Sequence, residues 1–344
     1  MNSNIYIVGS GIIGLSVAEY FSRNNPHVTV ISNNNPLAGS YAAAANLATK
    51  GQLFGRDPHF QIKLDAKKIY PTWIQNLLAE SSITITRDVI FKIGQGIDVF
   101  YNQTDRDKHL KRVIQDITTD SILPHKENSI IYSDEAWVDA QMLLNLLTNV
   151  LKKRNVNFIH QHFSKKKLHE ILAQKMSNVL IFCAGAWTKQ LLVELELPLP
   201  NGFNKSERLT LGSTFQSSRI IENNNFILYE KISEGLKYKV TFSGNKPNQT
   251  ISASSMRIQN LNSPYQADLK IKNEMLLKLA SNNASLEEDL VEKTGLRVGY
   301  SHSEILIEPV NLTSKNSKAI VCCGAHKSGF LFAPLLGQKI EVFI

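Results

Sequence analysis

Ile5-Tyr6-Ile7-Val8 runs directly into Gly9-Ser10-Gly11-Ile12-Ile13-Gly14 and then into Leu15-Ser16-Val17-Ala18-Glu19-Tyr20-Phe21. A β-branched apolar run, a G-x-G-x-x-G turn and a helical apolar pattern thus follow without a gap, and a second apolar run, Val28-Thr29-Val30-Ile31, comes next. That order is what a dinucleotide-binding βαβ unit requires. Gly9 permits the tight turn off the strand, and Gly11 lets the backbone approach a pyrophosphate. Gly14 lets the helix pack closely on the sheet, and amides of the helix N-terminus face the phosphates. An isolated G-x-G-x-x-G fits an ordinary βα turn equally well; the strand on either side favours the binding reading.

The end of the second strand, about twenty residues on, usually carries an acid for the ribose hydroxyls. Here the chain reads Ser32-Asn33-Asn34-Asn35. Ser32 or Asn33 could hydrogen-bond a ribose, more weakly than an ionised acceptor would.

At 344 residues the chain has room for two domains. Hydrophobic residues make up 43% and charged residues 20%, as in ordinary globular proteins. No apolar run reaches the roughly eighteen residues of a membrane helix, and the first apolar segment lacks the basic start of a signal peptide. Cys183, Cys322 and Cys323 make neither a disulfide framework nor a metal-ligand spacing. No metal site is therefore expected, and a reducing, cytoplasmic location is the default expectation. The net charge of +8 includes basic clusters at residues 106–112, 152–154 and 165–167. They fit a field for nucleic acid or anionic lipid, or simply solvated faces; without interleaved aromatics the second reading is favoured.

Small residues follow the second strand, Gly39-Ser40-Tyr41-Ala42-Ala43-Ala44-Ala45-Asn46-Leu47. They would let a cofactor lie against the backbone, or a helix pack tightly on its neighbour. Residues 60–78 follow a helical period that Pro71 should bend or divide. Residues 83–86, 89–93 and 97–101 read as short strands, with Gly94-Gln95-Gly96 as a hairpin turn. A helix at 142–151 and strands at 156–159 and 179–182 restore βαβ character. Strands are expected again at 209–215, 226–229, 238–242 and 250–254, a helix near 274–281, strands at 305–307 and 319–321, and a final helix from about Pro334. The α/β and β-rich segments alternate twice. The expected fold is α/β, a Rossmann-type cofactor domain from 1–80, 135–205 and 290–344, interleaved with a β-rich α+β substrate domain from 81–134 and 206–289.

Further landmarks keep this order: Asp134-Glu135-Ala136-Trp137-Val138-Asp139, Cys183-Ala184-Gly185-Ala186-Trp187-Thr188, Gly295-Leu296-Arg297, and Gly324-Ala325-His326-Lys327-Ser328-Gly329-Phe330-Leu331-Phe332-Ala333-Pro334. Together with the N-terminal turn and the small-residue segment, they resemble the D-amino-acid-oxidase superfamily of FAD-dependent oxidoreductases, the group with glycine and sarcosine oxidases. The likeness covers essentially the whole chain. The ending from Gly329 to Gly337 also resembles the FAD oxidase domain of a bifunctional tRNA-uridine-modifying enzyme, which removes a carboxymethyl group from an amine.

The resemblance implies FAD bound in extended form, adenine towards the first βαβ unit and isoalloxazine towards the second domain. It assigns the cofactor to Gly9, Gly11, Ile12, Ile13 and Gly14, then to Ser32 and Asn33, and to Ser40, Ala43, Ala44, Asn46 and Leu47. Ala184, Gly185 and Trp187 would pass close to it, and Arg297, His326, Lys327, Ser328, Gly329, Phe330 and Leu331 would surround the flavin. Each position alone also fits ordinary packing. Arg297 would hold a substrate carboxylate by a planar, bidentate match, or else form a salt bridge within the second domain. His326 would touch the flavin edge or the substrate, or be a satisfied structural histidine. Tyr238, like Tyr229, lies on a β-type run and would face the substrate or pack on the sheet. Cys322-Cys323 reads as buried thiols rather than a redox pair.

The implied activity is FAD-dependent oxidation of the C–N bond of an amino acid or N-substituted glycine-type amine, by hydride transfer to flavin N5 and hydrolysis of the imine. Oxygen or another acceptor would take the electrons. One alternative is oxidative removal of a carboxymethyl group from a tRNA uridine; the basic clusters support it, and the lack of an RNA-binding motif counts against it. Another is a non-catalytic flavin-binding protein. An NAD-dependent dehydrogenase would explain the first turn but none of the later landmarks.

Overall fold

Side-chain alternation in the first strand buries the sheet on both faces: Ile5 and Ile7 enter one core, Tyr6 and Val8 the other. Val179 and Ile181 repeat the first side, Leu180 and Phe182 the second. Such two-sided burial is what a parallel sheet demands. A computed structural model describes residues 3–47, 60–100, 102–113, 122–124, 129–217, 226–231, 239–246, 249–258, 261, 291–300, 305–314 and 316–344. Its elements begin with β1 (Asn4–Val8), α1 (Ile12–Ser22), β2 (Val28–Ser32), α2 (Phe60–Glu80), α3 (Arg87–Ile90), β3 (Phe91–Val99), α4 (Gln103–Val113), β4 (Ile122–Pro124) and β5 (Ser129–Val138). Then come α5 (Ala140–Lys153), β6 (Asn157–His160), α6 (Lys165–Leu172), β7 (Asn178–Phe182), α7 (Thr188–Glu194) and β8 (Glu207–Ser217). The rest are β9 (Phe226–Lys231), β10 (Lys239–Lys246), β11 (Gln249–Ile258), β12 (Val291–Tyr300), β13 (Leu306–Val310), β14 (Ser317–Cys323), α8 (Gly329–Phe332) and α9 (Leu336–Glu341).

Two sheets result. The first runs β13-β14-β7-β1-β2-β6, the second β12-β8-β11-β10-β9-β3-β5-β4. In the first, β6, β2, β1, β7 and β14 pair in parallel, and β13 is antiparallel to β14. One core gathers α1, α2 and α5 against this sheet; the other gathers α6, α7 and the inward residues Leu209, Leu211, Leu296 and Val298 of the second sheet. The two cores together place β8 and β12 against the Rossmann-type half, as the interleaved α/β reading expects.

Several local expectations need correction. Residues 83–86 form no strand. Val89 and Ile90 belong to α3, and Phe91–Val99, across Gly94-Gln95-Gly96, is one strand, β3, because both halves pair in sequence with β5 and the glycines absorb only a register shift. Pro71 lies inside α2 without dividing it. The final helix, α9, starts at Leu336, close to the expected Pro334, which sits in the 3₁₀ turn between α8 and α9, where a missing N–H is tolerated. Val291–Tyr300, assigned by the division at 290 to the first domain, pairs along its length with β8 of the second sheet. β5, of the same sheet, straddles the division at 134/135. The helix expected near 274–281 lies outside the described residues.

A buried ion network ties three helices together. Glu19 of α1 is 2% exposed. It accepts from Arg154 Nη1 at 3.2 Å, Arg23 Nη2 at 2.8 Å and Trp73 Nε1 at 3.1 Å, while Arg154 also pairs with Glu80. Asp139 caps α5, accepting from the Met142 N–H at 2.8 Å. The basic clusters carry local partners: Lys165 with Glu196, Lys167 with Glu170, Arg106 with Asp107. Among the described residues no helix is long and apolar enough to cross a membrane.

Candidate functional site

The β1–α1 turn is built for close backbone approach. Gly9 has φ +120°, and a side chain there would collide with the Cys183 carbonyl. Gly11 approaches the Ser40 hydroxyl, which accepts from the Ile12 N–H at 2.9 Å. Gly11 itself offers no side-chain cap, so the amides of the turn beyond Ile12 suit an anion. From this turn a cleft runs past Ser32–Asn35 to Gln161–Phe163 and Ala184–Trp187. Where an acid usually ends β2, Ser32 Oγ meets Ser10 Oγ at 2.8 Å.

A second cleft of about 1110 Å³ continues from the first, sharing Ile13, Gly39, Ser40, Gly185, Ala186 and Leu296 with it. Its far wall is the edge of the second sheet. Arg297 of β12 stands opposite Thr210 of β8, with its guanidinium over Gly212; a Cβ at Gly212 would lie 2.8 Å from Arg297 Nη2. As a residue Arg297 keeps partial exposure, but its Nε is sealed from solvent and has no hydrogen-bond partner among the described residues. Burial lowers its pKa from 12.5 to about 10, so it stays charged at neutral pH. No acid pairs with it among the described residues, and the residues lining this cleft include no Asp or Glu.

His326 adopts φ 45°, unusual for a residue with a side chain, and its N–H donates to the Val298 carbonyl at 2.9 Å. Its Nε2 lies 3.1 Å from Thr210 Oγ1. Burial first, then the charges of Arg297, Lys327 and Arg208, bring its pKa down to about 3. His326 is therefore a neutral imidazole.

The structure brings most of the expected residues to these clefts. Gly9, Gly11, Ser32, Asn33, Ala184 and Trp187 line the first; Ile13, Ser40 and Gly185 line both. Ile12, Ala43, Ala44, Asn46, Arg297, His326, Lys327, Gly329 and Phe330 line the second. Four others line neither. Gly14 abuts the Gly9 carbonyl, Leu47 and Leu331 are buried in the core, and Ser328 donates its N–H to the Ala325 carbonyl at 2.7 Å in the turn before α8. Tyr238 lies outside the described residues, and Tyr229 pairs with Thr241 in β9–β10. The cysteines are free and buried, with Cys183 on the first cleft. A hydrogen bond to Cys183, together with burial, raises the Cys322 thiol well above its usual range, and burial raises Cys323, so both stay unreactive thiols. Ser10, Thr210 and Gly212 were missed. A glycine inside the apolar run of β8 was a signal of close approach; Thr210 carried none.

The family model for FAD dependent oxidoreductases matches residues 4–341. Among solved structures, the iminodiacetate oxidase from Chelativorans sp. BNC1 is similar with a TM-score of 0.74 at 15% identity, over 99% of this chain and 95% of that one. The glycine oxidase from Bacillus cereus ATCC 14579 gives 0.71 at 14% identity, over 99% and 96%. The L-α-glycerophosphate oxidase from Mycoplasma pneumoniae, with FAD bound, gives 0.73 at 14%, over 99% and 94%. At such identities the shared fold is what these likenesses show. The bifunctional protein ThiO/ThiG of Trichormus variabilis is 30% identical over 77 residues, 22% of this chain and only 12% of that protein.

Proposed function

The chain belongs to the FAD-dependent oxidoreductase family, and we propose that it oxidises the C–N bond of an amino acid or N-substituted glycine in the second cleft. FAD is its cofactor, and the residues present fit it. The glycine turn at the N-terminus of α1 suits the pyrophosphate, the Ser10–Ser32 hydroxyls a ribose, and the Ala42–Ala45 wall a flat ring system. Bound FAD supplies the two-electron acceptor.

The observation that carries the substrate reading is Arg297, a charged guanidinium that, among the described residues, has no acid lining its cleft and no partner for its Nε. Leaving such a donor unsatisfied is costly, and a carboxylate satisfies it with charge-assisted hydrogen bonds. Gly212 gives the guanidinium room to lie flat along β8. The Thr210–His326 hydrogen bond fixes the imidazole beside it. Held by its carboxylate, the substrate has its Cα–N bond fixed in one orientation, and alignment rather than acid–base chemistry by His326 sets the rate. A hydride equivalent leaves Cα, a proton leaves nitrogen, and water splits the imine into a carbonyl compound and an amine. The names of two similar structures, iminodiacetate oxidase and glycine oxidase, favour the same substrate class.

The test is anaerobic bleaching of the bound flavin by a panel of free and N-substituted amino acids. Reduction by members of the panel, lost in Arg297→Ala with flavin retained, is the expected result. Full turnover by that variant would overturn the assignment.

A further inference from the structure

We propose that Asn46 is a specificity-determining residue that receives the amine nitrogen of the substrate; this rests on the reading of the second cleft given above. Among the described residues, two buried side-chain atoms without a hydrogen-bond partner belong to residues lining that cleft. One is a donor, Arg297 Nε; the other is an acceptor, Asn46 Oδ1. An amino acid carries the complementary pair on adjacent carbons, a carboxylate that accepts and an amine that donates.

The backbone explains why Asn46 points where it does. Residues 45–47 add to the end of β5: the Val138 N–H donates to the Ala45 carbonyl at 3.1 Å and the Leu47 N–H to the Ala136 carbonyl at 2.8 Å, with a bridge from Asn46 to Trp137. Leu47, 0% exposed, enters the core, whereas Asn46 lines the cleft. Ala45 is held at φ 53°, a left-handed conformation that a side chain disfavours. Strain of this kind persists where surrounding structure over-determines it, commonly at binding sites. A buried acceptor without a partner adds its own cost, which a ligand N–H removes.

The experiment uses flavin-loaded protein without oxygen, titrated with glycine or N-methylglycine and separately with acetate, following flavin absorbance. Asn46→Ala should weaken the amines on the order of tenfold and leave acetate within about twofold. Asn46→Asp, nearly isosteric, should restore binding of the protonated amine. FAD affinity, measured by reconstitution, should be unchanged in both. Equal weakening of glycine and acetate, a selective loss of FAD affinity, or no change at all would each overturn the role of Asn46. If these amines reduce the wild-type flavin and Arg297→Ala stops this while Asn46→Ala does not, Asn46 alone is excluded. If neither amines nor acetate perturb the wild-type flavin, the reading of the cleft falls with it.

Discussion

Replacing Arg297 by Met should make the protein more stable and less active. A fall in the arginine pKa from 12.5 to about 10 corresponds to about 3 kcal/mol of desolvation held in the folded state. The cost is fully present below pH 10, where Arg297 is charged in both folded and unfolded chains, and disappears only as pH rises above that. Partial exposure of the residue reduces the net figure to roughly 2 kcal/mol. Methionine fills much of the same space without charge. The flavin-loaded variant should therefore melt roughly 3 °C higher than wild type, while kcat/KM for a carboxylate substrate falls on the order of a hundredfold. Acetate should raise the melting temperature of the wild type more than that of the variant, which keeps only the exposed Lys327 as a cation among the described residues lining the cleft. A salt bridge would give the opposite sign: breaking a buried pair destabilises by about 3 kcal/mol or more. A variant that melts lower than wild type would thus refute the idea that Arg297 waits for a ligand.

The depressed pKa of His326 predicts acid sensitivity. Between 6.5 and about 3 the unfolded imidazole takes a proton and the folded one does not, so its contribution holds above pH 6.5 and is lost as pH falls towards 3, by up to about 1.4 kcal/mol per pH unit. Urea melts at pH 5 and pH 7 should show a smaller difference in His326→Asn than in wild type; equal differences would exclude the buried neutral ring. Gly212→Ala places a Cβ 2.8 Å from Arg297 Nη2. It should raise KM roughly tenfold with flavin content intact, and an unchanged KM would show that the guanidinium lies elsewhere. Arg154→Ala leaves Glu19, 2% exposed, short of one cation. Denaturant unfolding should report a loss of roughly 3 kcal/mol, and a loss below about 1 kcal/mol would mean that Arg23 and Trp73 suffice.

The parts that were legible in the sequence share a cause. Gly9, Gly11 and Ser40 act through local backbone geometry, and the strands beside them repeat a two-residue period strong enough to read directly. The hairpin at Gly94-Gln95-Gly96 misled because glycine marks a turn and a register shift equally well, and only pairing with β5 and β9 decides between them. Sheet membership of β12 was hidden for a similar reason: its partner β8 lies some eighty residues earlier in the chain, so no local pattern announces it. Leu47 and Leu331 followed cleft residues in sequence but alternate into the core. Thr210 matters only because β8 sets it opposite Arg297.

The edge of the second sheet explains how these distant parts become one site. An edge strand leaves backbone groups unpaired, and β12 is such a strand. Its free side is taken at Leu296, whose N–H donates to the Leu37 carbonyl at 2.8 Å beside the Ala38 bridge. It is taken again at Val298, whose carbonyl accepts from the His326 N–H at 2.9 Å beside the Gly299–Ala325 bridge. Arg297 lies between the two clamps. One comes from the segment that carries Ser40, partner of the first α1 amide; the other from the turn that leads into α8, where Tyr70 donates to the Phe330 carbonyl. The backbone that walls the cofactor trough is therefore the backbone that aims the guanidinium. Covering the sheet edge and orienting the Arg297 guanidinium are one structural act, which is how a residue of the second sheet comes to face a cleft walled by the first.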